Sequence, residues 1–285
     1  MKFLIPRKMK ALEALKILFP SSSRRTLQHW LKGGRFLVDQ EPLLRDSEWL
    51  EEGQLLLSQE NFAPQVKGKM KILYTDKTFV VIDKPEGLLS VPLDIPSFQK
   101  HALGLLREHY RTDQIFAVHR LDRETSGVML FARGKESQQR FQKLFEQHAL
   151  RREYFAITEG LLPEDSGTWD CFLTELPNYD VILSSNPEEG ERAITHFEVL
   201  HRSKKYSYLK LLLETGKKHQ IRIHCKTAGC PVLGDRRYGG RENPLHRLAL
   251  HARLLEFVHP FTGKEQLFTS PLPSSFDKIL PQTFR

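Results

Sequence analysis

Hydrophobic and polar residues alternate over much of the chain beyond residue 70, and a period of two is typical of half-buried β-strands. The clearest predicted strands are residues 79–82, 128–132, 151–159, 193–200 and 206–214. A basic turn joins the last two, which predicts an antiparallel hairpin. Each strand is bounded by glycine, proline or a charged turn, so the pattern indicates a sheet.

Helical periodicity is limited to a few segments. Apolar residues three or four positions apart predict an amphipathic helix over residues 135–149, and residues 96–110 have a similar pattern. Residues 161–195 give no clear register, and we expect strands and loops at the periphery there. Many strands with few helices predict an α+β fold.

The first 38 residues differ in composition, because they carry many lysines and arginines against a single acid, Glu13. Two short helices are predicted, one ending before Pro20 and one running from Arg24 to Leu31, followed by strand pieces at 36–38 and 55–57. Residues 61–71, with proline, glycine and lysines, are predicted to be a linker. The expected domains are therefore residues 1–60 and 72–285.

Composition narrows the class of protein. The chain has 285 residues, a net charge of +8 and a pI near 9.3, which favours nucleic acid as partner, with an anionic membrane second. We expect neither a membrane span nor a secretory signal, because no long apolar stretch occurs and residues 1–8 lack a continuous apolar core. Three cysteines, Cys171, Cys225 and Cys230, fit a reducing cytoplasm and match no common metal site. We expect a cytoplasmic monomer without bound metal.

The most distinctive stretch is residues 119–127, His-Arg-Leu-Asp-Arg-Glu-Thr-Ser-Gly, which leads into an apolar strand. Arg120 and Arg123 flank Asp122, and nearby positive charge favours the ionised carboxylate. A loop that turns on Gly127 and enters a buried strand is a rigid support for such a group. The plain alternative is a surface turn with solvated ion pairs.

A second motif, Thr-Gly-Lys-Lys-His-Gln-Ile-Arg-Ile-His, occupies residues 215–224. Together, the two motifs resemble those of the RluA-type pseudouridine synthases, HRLD-x-x-TSG and TGR-x-HQIR-x-H. Lys217 departs from the pattern because arginine is commoner there, which keeps the charge but loses a planar donor fork. The resemblance extends over roughly residues 72–273, and it includes a Lys-Pro-x-Gly-Leu turn at 84–88.

The resemblance implies that uridine in RNA is isomerised to pseudouridine without a cofactor. Asp122 matches the catalytic carboxylate, which acts as nucleophile or as base. Arg222 matches the arginine that pairs with this carboxylate, and Tyr154 matches the tyrosine that stacks on the target base. The resemblance implies a charge-assisted pair of Asp122 with Arg222, for which bidentate geometry is one option, and a structural role for Gly234-Asp235. Two further residues have predicted roles: Arg120 fills the space left by the extruded base, and Leu250 lies under that base. The remaining predicted substrate contacts are His119, Lys217 and His219.

The N-terminal segment resembles the α-L RNA-binding motif of the ribosomal-protein-S-four type, in a degenerate form. In that family a basic helix lies against the RNA backbone, which here predicts RNA contacts by Arg24, Arg25 and Lys32. The resemblances together imply an α+β chain with a small RNA-binding domain and a catalytic domain built on a mixed, mainly antiparallel sheet flanked by helices. Large-subunit ribosomal RNA is the first candidate substrate and transfer RNA the second.

Two other functions compete with this interpretation. A non-catalytic RNA-binding or assembly protein would keep the fold, but Asp122, Tyr154 and Arg222 are all present. A hydrolase could use Asp122 with His119 or His251, although it would need a second carboxylate or a metal close by. The mass of the RNA separates these possibilities, since isomerisation leaves it unchanged and hydrolysis does not.

Overall fold

The structure is a computed structural model that describes residues 2–20, 22, 24–32, 36–39, 41–43, 45–58, 65–66, 70–92 and 100–280. It divides into two compact units, Met1–Thr75 and Asp76–Arg285. The domain boundary at residue 60 and the linker at 61–71 stay predictions, since 59–64 and 67–69 lie outside the described residues.

The first unit combines two helices with short strands. Its elements are β1 (Lys2–Leu4), β2 (Met9–Lys10), α1 (Ala11–Leu18), α2 (Arg24–Lys32), β3 (Phe36–Val38), β4 (Glu41–Pro42), β5 (Trp49–Leu50), β6 (Leu55–Ser58), β7 (Gln65–Val66) and β8 (Met70–Thr75). β1, β6, β3 and β4 form one sheet in that order, while β2 pairs with β5 and β7 with β8. Leu15, Leu27 and Phe36 are buried in its core, so both predicted helices present their apolar residues to the sheet region.

The second unit is dominated by strands. Its elements are β9 (Phe79–Lys84), α3 (Ala102–Tyr110), β10 (Ile115–Ala117), β11 (Ser126–Arg133), α4 (Lys135–Glu146), β12 (Leu150–Glu159), β13 (Ser166–Glu175), β14 (Val181–Leu183), β15 (Glu191–Arg202), β16 (Tyr206–Leu213), α5 (Gln220–Thr227), β17 (Leu250–Val258) and β18 (Glu265–Thr269). Two 3-10 turns occur at Pro187–Glu189 and Ser274–Lys278.

The strands of this unit form one sheet in the order β14-β13-β15-β16-β12-β17-β11-β9, with β10 paired to β11 and β18 to β17. Neighbours are antiparallel except β11 and β17, which run parallel over a short register from Ser126 opposite His251 to Gly127 opposite Ala252. The predicted α+β class with a mixed, mainly antiparallel sheet is confirmed. No helix in the described part of the chain is long and apolar enough to span a membrane.

Most predicted elements are present with shifted ends. β11 is buried on both faces and carries an apolar run from Val128 to Ala132. β12 is also mostly buried, although it includes the charged residues Arg152 and Glu153. The predicted helix over 96–110 is described only from Ala102, because residues 93–99 lie outside the described residues. The unassigned stretch 161–195 contains β13, β14 and the start of β15, and β14 is at the sheet edge.

The parallel contact of β11 with β17 needs a glycine at position 127. Gly127 has φ +116°, and a Cβ built there would lie 2.1 Å from the carbonyl oxygen of Ala252. A side chain would therefore overlap backbone that is fixed on both sides by sheet hydrogen bonds. Because Gly127 also ends the loop of Asp122, this contact sets where that loop meets the sheet.

We expect Gly127→Ala to lower the free energy of unfolding by about 3 kcal/mol or more, because left-handed strain adds to a backbone clash. Gly263→Ala is the matched control, since Gly263 has φ +69° and a Cβ added there would meet open space. That change should cost about 1–2 kcal/mol from backbone conformation alone. Urea unfolding of both variants measures the difference, and equal losses would contradict the role of the parallel contact.

Candidate active site

A cavity of about 510 Å³ opens in the second unit where the 119–127 loop meets β12, the start of β17, the end of β16 and the N-terminus of α5. Its walls carry Asp122, Tyr154, Arg222 and Leu250. The two sequence motifs are far apart in the chain from each other and from β12, which carries Tyr154. All three segments nevertheless border one concave site. Concave sites with a few convergent polar groups are the usual location of binding and catalysis.

The loop that carries Asp122 is fixed at its backbone. The N–H of Leu121 donates to Oγ of Ser90 (3.1 Å), and the same hydroxyl donates to the Leu121 carbonyl (2.6 Å). The Thr125 N–H donates to the Asp122 carbonyl (3.1 Å), which closes a turn around the carboxylate. The Asp122 side chain is 22% exposed, so it is accessible from the cavity but held in place.

Lys84, at the end of β9, supports this loop from below. Its ammonium is fully buried and donates to the carbonyls of Pro85 (3.1 Å), Leu88 (2.8 Å) and Arg123 (3.2 Å). Desolvation lowers the pKa of Lys84 to about 7, and the carboxylates of Asp122 and Glu124 act in the opposite direction. The Lys-Pro turn therefore serves to join β9 to the loop of Asp122.

Arg222 and His219 face the two oxygens of the Asp122 carboxylate. Nη1 of Arg222 lies 3.4 Å from Oδ2, and Nε2 of His219 lies 3.8 Å from Oδ1. Nη1 of Arg222 is also 3.7 Å from a carboxylate oxygen of Glu124. The structure thus brings together the carboxylate and the arginine that the motifs nominated.

Bidentate geometry between Arg222 and Asp122 is not observed, because the bidentate partner of Arg222 is Asp235. Nε and Nη2 of Arg222 donate to the two oxygens of Asp235 at 2.7 and 2.8 Å. Asp235 is 1% exposed, so this fork is dry, and only Nη1 is left to face Asp122. Asp235 is therefore more than a structural turn residue, since it orients the arginine.

The same turn also orients His219. The Tyr238 N–H donates to Asp235 (3.2 Å), and the Tyr238 hydroxyl lies 2.6 Å from Nδ1 of His219. His219 has a left-handed backbone (φ 55°) just before α5. Burial lowers the pKa of His219, although Asp122 opposes this effect, so the neutral imidazole is favoured at neutral pH.

Gln220 closes the 215–220 turn from inside. Its Oε1 accepts from the Thr215 hydroxyl (2.8 Å) and the Lys217 N–H (2.9 Å), and its amide donates to the Ile194 carbonyl (2.9 Å). The glutamine of the second motif is therefore a buried scaffold for the residues on either side of it. Sequence reasoning assigned it no role.

Tyr154 and Leu250 form the apolar side of the cavity. Tyr154 is 9% exposed and follows an irregularity in the pairing of β12 with β17, while Leu250 begins β17 opposite Ala156. Burial raises the pKa of Tyr154 to about 12, with Arg152 acting in the opposite direction. Tyr154 is therefore a neutral phenol at neutral pH.

The other residues that the sequence predicted to contact the substrate differ in their exposure and in their partners. Arg120 is exposed on the cavity rim, and its guanidinium has no ion pair with any residue in the described ranges. Lys217 lines the cavity but pairs with Glu191 (2.6 Å), and Lys218 turns to Glu175 (2.5 Å). The charge of Lys218 is therefore paired with an acidic neighbour on β13.

In the first unit, Arg24 is exposed and pairs with Asp46 (3.3 Å). Arg25 and Lys32 lie in α2, but their side chains fall outside the described residues. RNA contact by these three residues stays a prediction.

Structural comparison gives the class of the second unit. RNA pseudouridylate synthase domain containing 4 from human matches with a TM-score of 0.61 and 26% identity, covering 73% of this chain and 92% of that one. The human domain containing 1 matches with the same TM-score and 25% identity, over 75% and 88% of the two chains. The fold is therefore that of a pseudouridine synthase domain.

Sequence comparison identifies the family. A model described as RNA pseudouridylate synthase matches residues 78–227. Ribosomal large subunit pseudouridine synthase D of Xanthomonas campestris pv. campestris is 32% identical over 92% of this chain and 85% of that protein. The protein of the same name from Neisseria meningitidis serogroup B is 31% identical over 92% and 75%. The chain belongs to the RNA pseudouridylate synthase family and is an isomerase that acts on RNA.

Three histidines at the site are neutral: His224 and His251 are buried, and His119 is partly buried at the cavity wall. Nε2 of His119 accepts from the Leu130 N–H (2.9 Å), so this predicted substrate contact also supports β11. His224 lies against Thr195 (2.9 Å), and His251 lies 2.8 Å from the Ser126 hydroxyl. Desolvation lowers the pKa of His119 to about 3 and those of His224 and His251 to about 4.

These shifts predict acid instability. The unfolded state binds protons at the ordinary histidine pKa near 6.5, whereas the folded state resists protonation until a lower pH. Stability should therefore be fully present above about pH 6.5 and fall below it, by up to about 1.4 kcal/mol per pH unit for each histidine. Urea unfolding at several pH values measures this slope. His251→Gln should reduce it, while a change at the exposed His196, to Gln, should leave it as it is.

Proposed function

We propose that this protein converts specific uridines in structured RNA to pseudouridine with Asp122 as the catalytic carboxylate, and that ribosomal RNA is its substrate. The observation that carries the proposal is the position of Asp122. Its carboxylate is 22% exposed in the cavity, with Arg222 at one oxygen and His219 at the other. Tyr154 and Leu250 line the same cavity, so a flat base could enter beside the carboxylate.

The reaction matches what these residues can supply. The bond between N1 and C1′ breaks, the uracil turns, and its C5 bonds to C1′ of the sugar. C5 then loses its proton and N1 takes one up, so no atom is gained or lost. Asp122 acts at the sugar or the base as nucleophile or general base, and both roles require the ionised carboxylate. Arg222 favours that form because its positive charge lies beside the carboxylate.

Uracil must leave the RNA stack to reach this cavity, at an expected cost of a few kcal/mol. We assign the rim residue Arg120 to the vacated space, because its exposed guanidinium is free of ion pairs with the described residues. Tyr154 then supplies a stacking face near Leu250, which lies on the neighbouring strand. Its raised pKa supports stacking as a neutral phenol over service as a base at C5.

The choice of ribosomal RNA rests on the relatives, which are named ribosomal large subunit pseudouridine synthase D and match over 92% of this chain. The net charge of +8 is consistent with a large polyanionic substrate. We further assign RNA backbone contacts to the basic helix α2 through Arg24, Arg25 and Lys32. Transfer RNA is the comparison substrate in the assays below.

Asp122→Asn should reduce isomerisation by about 100-fold or more, because the neutral amide can act neither as base nor as nucleophile. RNA binding should change little. Carbodiimide primer-stop mapping on in vitro transcribed ribosomal and transfer RNA measures the product, and mass spectrometry checks that the RNA mass is constant.

Glu124→Gln is the matched control for Asp122→Asn, since Glu124 is a carboxylate two residues away and also near Arg222. It should retain most activity. Full turnover by Asp122→Asn, or a chain cleavage product, would refute the assignment. A preference for transfer RNA would refute only the substrate.

Asp235→Asn should lower kcat by about tenfold or more with a smaller effect on KM, because an amide offers one acceptor oxygen to the two N–H groups of Arg222. Arg222 would then lose its orientation toward Asp122. Asp170→Asn is the control, since Nε and Nη2 of Arg192 donate to the two oxygens of Asp170 in the same kind of fork at the exposed surface. Steady-state kinetics and a thermal melt of each variant separate lost orientation from lost folding. An unchanged kcat in folded Asp235→Asn would contradict the positioning role.

A further inference from the structure

An aromatic ring is exposed in the turn that joins β13 to β14. Tyr179 is 65% exposed, the largest exposure among the large hydrophobic side chains of the second unit that the structure describes. Aromatic rings of this size are usually buried or used for recognition. Ile182 and Leu183, on the edge strand that follows, are also exposed at 42% and 41%.

The turn holds Tyr179 in an unusual conformation. Its backbone φ is +65°, a left-handed value that is rare for a bulky residue. The Tyr179 N–H donates to the Leu176 carbonyl (2.8 Å), and the Leu176 N–H donates to the Asp180 carbonyl (2.7 Å). The Tyr179 carbonyl accepts from Arg237 (2.8 Å) and Lys218 (3.3 Å). The ring is therefore displayed by a turn that is tied to two other elements.

Further hydrogen bonds connect the turn of Tyr179 to the active site. The Val181 N–H donates to the Tyr238 hydroxyl (3.3 Å), which lies 2.6 Å from His219. His219 in turn faces Asp122 at 3.8 Å. The two cations at the Tyr179 carbonyl directly precede His219 and Tyr238 in sequence, so the exposed ring and the catalytic groups share one supporting network.

The two cations near Tyr179 do not by themselves make the surface around its ring an RNA-binding site. Lys218 pairs with Glu175 (2.5 Å), and Arg237 pairs with Asp180 (2.6 Å), so both cations have acidic partners. The Lys218 ammonium lies 5.3 Å from the centre of the Tyr179 ring. What the surface offers in addition to balanced charges is a flat aromatic face.

We propose that Tyr179 is a stacking platform for an unpaired RNA base that neighbours the target nucleotide, an inference that rests on the proposed function. An aromatic face accepts any base, because each base has a π-face of its own. Specific recognition of RNA depends on unstacked bases of this kind in loops and bulges. The turn of Tyr179 is linked to His219 through the Tyr238 hydroxyl, and the platform takes a base of the same strand that places a uridine at Asp122.

Binding of a fluorescein-labelled nine-nucleotide oligouridylate to the full-length protein tests the platform by fluorescence anisotropy. Tyr179→Asn should weaken binding by about tenfold, within the range for loss of one base–aromatic stack, while asparagine tolerates the left-handed backbone. Tyr179→Phe keeps the ring and should bind within about twofold of the wild type. Phe261→Ala is the matched control, because Phe261 is 37% exposed and carries Arg140 at 4.3 Å from its ring.

Photo-crosslinking with the same oligonucleotide carrying 5-iodouridine locates the contact, and we expect mass spectrometry to find the adduct on Tyr179. Wild-type affinity in Tyr179→Asn, adducts elsewhere only, or no binding of the probe by the wild-type protein would overturn the proposal. Isomerisation of ribosomal RNA is measured in parallel. If the wild type isomerises and Tyr179→Asn binds normally, the platform fails and the proposed function stands; if the wild type does not isomerise, the proposed function fails.

Discussion

The arrangement of the active site depends on one buried arginine shared between two carboxylates. The guanidinium of Arg222 has a planar fork, and Asp235 takes two of its nitrogens at 2.7 and 2.8 Å. The remaining nitrogen, Nη1, points to Asp122 at 3.4 Å. Because burial of an unpaired guanidinium is very unfavourable, the pair with Asp235 holds Arg222 in this orientation. The direction from which Arg222 contacts the Asp122 carboxylate is therefore set by a residue that does not line the cavity.

The short turn that contains Asp235 organises both sides of the carboxylate. Asp235 orients Arg222, and Tyr238, three residues later, holds the ring of His219. Gly234 and Gly240 make this turn possible, since a Cβ at either position would lie within 3 Å of backbone. This one segment therefore positions both Arg222 and His219. A small shift in it would move both partners of Asp122 together.

The sequence was sufficient for the class of fold and for the principal site residues. Strand periodicity predicted β9, β11, β12, β15 and β16, and the two motifs nominated Asp122 and Arg222, which the structure places in contact. Asp235, Tyr238 and Lys84 were missed in their actual roles, because a buried polar contact leaves no periodic signal in a sequence. The signal that could have found Asp235 is a lone acid between glycines in a basic segment, since such an acid needs a cationic partner when buried.

The protonation states of the cavity residues explain why its occupant should be a neutral base. Tyr154 has a raised pKa and His219 a lowered one, so both are uncharged at neutral pH. The positive charge of Arg222 is already shared between Asp235 and Asp122. A phosphate in this space would face the Asp122 carboxylate, whereas uracil brings no net charge and can use the faces of Tyr154 and Leu250. The phosphates of the strand are better placed at the rim, where Arg120 is exposed to solvent, so the cavity separates the base from its backbone by charge as well as by shape.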